Sequence, residues 1–271
     1  MQTTDILANH AHVFPAAMNA GGTVECLLRL MDGCRIAESV CFAPFAKQMR
    51  GANEWLAGEL KKGGGRLHGF GTIDVEAGDM RGQVRRVAEL GFRGIKFHHA
   101  GQEVGILSEA ARSVYAEAER LGLFMVFHVG VHRSRMRESR VMDLDEVAWD
   151  YPELRFSLEH IGGYHFFKEA LAVIFNHKPT PWAQGPCHLY GGLSSVFSTE
   201  KNLFWHLTQE QILEAVRQVG AEQLIFGLDF PYNGEKEAKL GIQRVGELGL
   251  SREEEARILG GNMREILSGV R

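Results

Sequence analysis

The sequence is poor in the features that would take it out of the class of ordinary globular proteins. It has only four cysteines in 271 residues, Cys26, Cys34, Cys41 and Cys187, none in Cys-x-x-Cys spacing. Four thiols cannot frame a chain of this size, so a disulfide scaffold is excluded and a reducing compartment is expected. There is no long hydrophobic run: the longest, around Gly122 to Val131, is interrupted by His128 and is too short to span a bilayer. The first residues carry no basic segment followed by an apolar one, so a cytoplasmic protein is expected. Charge of one sign is also lacking, with a formal net charge of -4. That gives no general attraction to nucleic acid or to an anionic membrane, and a small molecule is the expected partner, with self-association into a homodimer left open.

What is present is a regular alternation of short apolar strands and amphipathic helices. Forty-five per cent of the residues are hydrophobic and 24% charged, a composition that can bury a large core. Strand-like segments end near residues 10, 40, 73, 97, 128, 160, 196 and 229, at intervals of 24 to 36 residues. Each is followed by a stretch with helical spacing, as in Leu107, Ala111, Val114, Ala118 and Leu121, or in Gln209 to Val219. Thr23 is placed to cap the first helix. The seventh strand, within His188 to Phe197, is the weakest because Gly191-Gly192 lowers its β-propensity. Eight βα units predict a single (β/α)8 TIM barrel over residues 1–271, with its chemistry at the C-terminal ends of the strands.

The polar residues at those ends form a set. Asn9-His10-Ala11-His12 closes the first strand, and by alternation His10 and His12 should share a face. Lys96 and His98 end the fourth strand, His128 the fifth, His160 the sixth and Asp229 the eighth. One histidine in such a place is more often a satisfied core residue than a ligand, and one aspartate more often a helix cap. Five histidines and an aspartate at matching strand ends are another matter, and two imidazoles on one strand face can hold one metal ion.

These motifs resemble the amidohydrolase superfamily, and within it the amidohydrolase-2 group of TIM-barrel metal-dependent hydrolases and decarboxylases. The resemblance runs from about Asn9 to Leu267. It is carried by His10-Ala11-His12, by Gly91-Phe92-Arg93-Gly94-Ile95-Lys96-Phe97-His98, by Phe127-His128, by Glu159-His160-Ile161-Gly162-Gly163 and by Phe226-Gly227-Leu228-Asp229-Phe230-Pro231. It implies that His10, His12, His128 and Asp229 hold one divalent ion, zinc before manganese or another first-row metal. Asp229 would take a proton from water, and His160 would steady charge on the substrate oxygen. In some branches a carbamylated lysine at the fourth strand bridges two ions, and Lys96 lies at a comparable place. The match to the mostly mononuclear group favours one ion, which leaves Lys96 to bind substrate or to pair with an acid such as Glu159. Glu159 departs from the small residue expected there, and alternation places it toward the helices.

Specificity is expected from the loops. Arg133, Arg135 and Arg137 follow the fifth strand and could hold an anionic group, although a solvated charge run reads the same way. His98 and, in the long segment before the seventh strand, Trp182 are further candidates for substrate contact. The implied reaction is hydrolysis of a lactone, amide or ester, with non-oxidative decarboxylation of a small acid as the alternative. A Schiff-base mechanism on Lys96 would leave the histidines and Asp229 unexplained, and a non-catalytic barrel would leave the whole set without a purpose.

Overall fold

In a computed structural model, described for residues 5–138, 140–180 and 187–269, the strands and helices alternate along the chain. The order is β1 (Ile6–His12), α1 (Val24–Cys34), β2 (Ile36–Phe42), α2 (Ala52–Glu59), β3 (Leu67–Gly71), α3 (Met80–Glu89), β4 (Gly94–Phe97), α4 (His99–Gln102) and α5 (Glu109–Leu121). It continues through β5 (Phe124–His128), α6 (Asp143–Asp150), β6 (Phe156–Glu159), α7 (Gly163–Asn176), β7 (Leu189–Gly192), α8 (Gln209–Val219), β8 (Leu224–Ile225) and β9 (Gly227–Phe230). Helices α9 (Glu235–Gly246), α10 (Arg252–Ala256) and α11 (Asn262–Ser268) complete it. Thr23 caps α1 through the backbone N–H of Cys26, as its position suggested.

All strand pairings are parallel, from β1 through β7 in sequence order and on to β8. The expected eighth strand is split at Phe226: β8 pairs with β7, whereas β9 pairs with β1 and brings the sheet round on itself. The result is a nearly closed (β/α)8 barrel. Strand β3 stops at Gly71, short of the expected Val75, and β7 covers only four residues of the segment that held it.

Alternation along each strand sorts the core into two layers. On β5, Met125 and Phe127 join the shell between barrel and helices, while Phe124 and Val126 fill the barrel interior with Leu7, Val40, Phe42, Phe70 and Ile225. Met263 and Ile266 of α11 belong to the same inner cluster. His128 continues the inward series of β5, so the polar site lies above an apolar plug.

Two strands depart from simple alternation, and both departures shape the site. On β1, Ala8 and Ala11 both face the outer shell, and the register shifts between them. His10 takes up the irregularity with φ 67, as in a bulge. Asn9 and His10 therefore both reach the interior, where strict alternation would send one away. On β6, Phe156 and Leu158 pack outward, so the inward residues are Ser157 and Glu159. Glu159 consequently points into the barrel rather than toward the helices. The expectation had put His160 on the inward parity of the strand, but the strand ends at Glu159 and His160 turns inward through its own backbone, at φ 60.

Candidate active site

At the C-terminal mouth of the barrel, His10, His12 and Asp229 present ligand atoms that all lie within 4.8 Å of one another. Asp229 Oδ1 is 3.6 Å from His10 Nε2 and 3.8 Å from His12 Nε2. Its other oxygen accepts a hydrogen bond from Ser195 Oγ at 2.5 Å, and Ser195 is in turn held by Asn233 Nδ2 at 3.0 Å. The carboxylate is thus aimed, with Oδ1 toward the imidazoles. It caps no helix, because α9 begins at Glu235 with Gly234 as its N-cap.

His128 enters the same mouth from β5. Its ring lies against His160, with centroids 4.9 Å apart, and stacks on His98 at 3.8 Å and 13°. Its ligand atom groups within 4.8 Å with those of His98 and His132 rather than with the first cluster. Even so, His128 Nε2 is buried and without a hydrogen-bond partner. Most buried ring nitrogens find one, so an unpartnered imidazole nitrogen at the mouth of the barrel fits a coordination role. The neighbouring His98 is less suited to that role. Its Nδ1 accepts from the Gly101 N–H at 3.0 Å, so the neutral ring carries its proton on Nε2 and offers a donor.

His160 has its Nδ1 2.9 Å from the Ser194 carbonyl oxygen, an atom that can only accept. Nδ1 therefore bears the proton, and Nε2 is the lone-pair nitrogen of the neutral ring. Trp205 covers this side, 4.6 Å from the His160 ring and 5.3 Å from His128. Lys96 is fully buried, with Nζ 3.4 Å from His10 Nε2 and 5.5 Å from the Phe42 ring centroid. Glu159 lies beneath, within reach of Asn9, His10, Ser157 and Ser194.

The electrostatics follow from burial. It pushes His10, His98 and His128 well below the ordinary imidazole range, lowers His160, and takes His12 down to about 3, with the Lys96 ammonium reinforcing each shift. Neutral imidazole is the form that binds a metal. Burial also pushes Lys96 down, to about 8, against the pull of Glu159 and Asp229. For Asp229, burial works upward, but His10, His160, His12 and the Ser195 hydroxyl outweigh it and hold the carboxyl below its usual range. Strain is concentrated here too. His10, His160, Ser195 and Asp229 all have left-handed backbones, with φ between 56 and 67. Such conformations are unfavourable by roughly 1–3 kcal/mol each in non-glycine residues and persist where the surroundings enforce them.

The β5–α6 loop brings Arg133, Ser134, Arg135 and Arg137 together with Ala100 and Glu103 around one cavity. The Arg133 guanidinium lies 5.5 Å from the centre of the Phe204 ring, a cation–π contact. His132, at the root of this loop, packs its ring 4.4 Å from His98, so the arginines adjoin the histidine cluster in sequence and in space. Trp182 lies outside the described residues. Residues the sequence did not mark are Ser194, Ser195, Asn9, Asn233 and Trp205. For the first two the sequence offers only a Ser-Ser pair just beyond the strand end, which has no distinctive pattern of its own.

The comparisons with known proteins bear on the fold and the family. None of the curated proteins matches the sequence significantly. Among solved structures, an uncharacterised TIM-barrel protein from Bordetella bronchiseptica superposes with a TM-score of 0.76 at 16% identity, over 97% of this chain and 98% of that one. A dihydroxybenzoic acid decarboxylase from Polaromonas sp. JS666, solved with manganese and the inhibitor 2-nitroresorcinol, gives 0.71 at 17% identity, over 98% and 97%. A candidate 2-pyrone-4,6-dicarboxylic acid hydrolase from Pseudomonas putida gives 0.71 at 18% identity, over 99% of each chain. At these identities the likeness shows the fold. The family model described as amidohydrolase matches residues 23–268, and the chain belongs to that family of metal-dependent enzymes.

Proposed function

We propose that this enzyme is a metal-dependent hydrolase of a small carbonyl compound, a lactone, amide or ester, that carries an anionic group. The observation that carries the reading is the convergence of His10, His12 and Asp229 within 4.8 Å, with the unpartnered His128 Nε2 reaching the same mouth across the His160 ring. These four would hold one divalent ion. Imidazole with a single carboxylate favours zinc, and manganese is the ion named in the Polaromonas structure. Such an ion supplies Lewis acidity toward a substrate oxygen and makes water a better acid.

The residues around it divide the remaining work. Neutral His160, with its proton on Nδ1, has Nε2 available to take a proton from the attacking water and to return it to the leaving group. Asp229 Oδ2 is engaged by Ser195, so a proton arriving there would have to reverse that hydrogen bond. This weights His160 as the first acceptor and Asp229 as the anion that balances the site. His98 offers an Nε2–H donor for a substrate oxygen, and the arginine-lined cavity supports an anionic substrate group. Trp205 excludes water from one side of the His160 and His128 rings.

The same cavity supports a second reading, non-oxidative decarboxylation, in which His160 in its protonated form would deliver a proton to the carbon that loses the carboxylate. Pyrone carboxylates and hydroxybenzoates, the substrate types named for the two solved neighbours, make a suitable first panel. Turnover in ¹⁸O-labelled water separates the readings. Hydrolysis predicts one labelled oxygen in the product and no gas. Release of carbon dioxide with no label in the aromatic product would overturn hydrolysis in favour of the lyase.

A further inference from the structure

The barrel interior holds a carboxylate to which the proposed reaction gives no task. Glu159 is fully buried, and a carboxylate in that position is unfavourable by several kcal/mol unless donors surround it. It has four. Asn9 Nδ2 at 2.8 Å and Ser157 Oγ at 2.6 Å donate to Oε1, while His10 Nδ1 at 2.7 Å and Ser194 Oγ at 3.2 Å donate to Oε2. The fold makes room for it: a Cβ on Gly192 would lie 2.3 Å from Glu159 Oε2, so β7 does without a side chain at that point.

These contacts fix where protons sit. A carboxylate with four donors can only accept, so His10 Nδ1 carries the hydrogen and His10 Nε2 keeps its lone pair. That nitrogen is the one 3.6 Å from Asp229 Oδ1, and it is also the one that the Lys96 ammonium approaches. The second consequence runs through Ser194. Its hydroxyl hydrogen is committed to Glu159, so Ser194 Oγ must accept from His160 Nδ1, 3.1 Å away. The Ser194 carbonyl accepts from the same nitrogen. Both histidines therefore carry the proton on Nδ1, His10 through Glu159 and His160 through the Ser194 carbonyl, with Ser194 Oγ linking the two.

We propose that Glu159 is a positioning residue of the site, setting the tautomer of His10 so that its ring turns a lone-pair Nε2 to the mouth of the barrel, beside a His160 ring that the Ser194 carbonyl holds in the same tautomer. A neutral residue could fill the volume and satisfy Asn9 and Ser157. Only an acceptor without a competing donor commits the His10 ring. The consequence for metal affinity rests on the metal reading of His10, His12, His128 and Asp229, whereas the tautomers do not.

The test uses metal-free protein labelled with ¹⁵N-histidine, its His10 and His160 resonances assigned by their loss in His10→Gln and His160→Gln. In the wild type, both rings should show a protonated Nδ1 and an unprotonated Nε2. Glu159→Gln brings an amide N–H₂ among existing donors, and it should shift His10 toward a mixture of tautomers while lowering Zn²⁺ affinity about 10–100-fold in competition with a chelator. Ser157→Ala removes one donor from Glu159 without touching either ring, and it should keep both tautomers and the affinity. A wild-type His10 with its proton on Nε2 overturns the proposal without need of any variant, as does a Glu159→Gln protein that keeps wild-type Zn²⁺ affinity. Failure of the wild type to take up Zn²⁺, with the tautomers as stated, would sink the metal reading and leave the tautomer assignment supported.

Discussion

Acidification should unfold this protein early, because its interior stores imidazoles in the neutral form. A histidine that titrates at 6.5 in the unfolded chain but stays neutral in the fold gives the unfolded state the greater proton uptake below that pH. Stability is then fully present above 6.5 and is lost as pH falls toward the folded value. From pH 7.5 to 5.5, each such group removes about 1.4 kcal/mol. His12 and His99, both taken down to about 3 by burial, account for about 3 kcal/mol of loss between them. His10, His98 and His128, held well below the ordinary range by burial, add losses in the same direction. Carboxylates held low, such as Asp229, contribute only at more acid pH and do not enter this window. Urea unfolding of metal-free protein at the two pH values, followed by tryptophan fluorescence and circular dichroism, measures the loss. His99→Leu, at a buried histidine bonded to Tyr115, should flatten the dependence by about 1.4 kcal/mol. A difference under about 1 kcal/mol, or greater stability at pH 5.5, would refute the reasoning.

Three further outcomes follow from the site. Asp229→Asn should keep the fold and much of the metal while turnover drops about 100-fold or more, the scale of a lost charge preorganised beside the reacting groups; near-native kcat at saturating metal would show that the carboxylate charge is dispensable. Replacing Arg133, Arg135 and Arg137 together by Gln should raise KM for acids more than for neutral analogues, because remote cations supply uniform binding. Equal effects on the two substrate types would assign the loop to structure. Gly192→Ala should lower stability by about 1–3 kcal/mol in thermal unfolding, since the added methyl meets the Glu159 carboxylate at 2.3 Å; an unchanged Tm would mean that Glu159 moves aside freely.

The barrel was legible because βα units repeat at even intervals and because strand ends carry polar residues against an apolar background. His10, His12, His128, His160 and Asp229 were readable for that reason, and the structure gathers all five at one mouth. Glu159 was misread because the pattern of β6 was extended one residue too far. Periodicity describes a strand but not the left-handed turn by which His160 re-enters the barrel. On β1, alternation gave the right face for His10 and His12 but missed the bulge that also turns Asn9 inward. The weakness of β7 had a cause that sequence alone could not reveal, since Gly192 is small to accommodate a carboxylate from the neighbouring strand. Ser194 and Ser195 were illegible because a serine at a strand end has no distinctive pattern until its two partners, Glu159 and Asp229, are placed in space.

The central claim, that His10, His12, His128 and Asp229 together hold one divalent ion, is tested most directly by elemental analysis after equilibration with excess metal and removal of the unbound fraction. About one ion per chain is expected in the wild type, and close to none in the folded His10→Ala/His12→Ala double variant, since two of three imidazoles are gone. Full occupancy in that variant, or a wild type that retains no metal, would contradict the account.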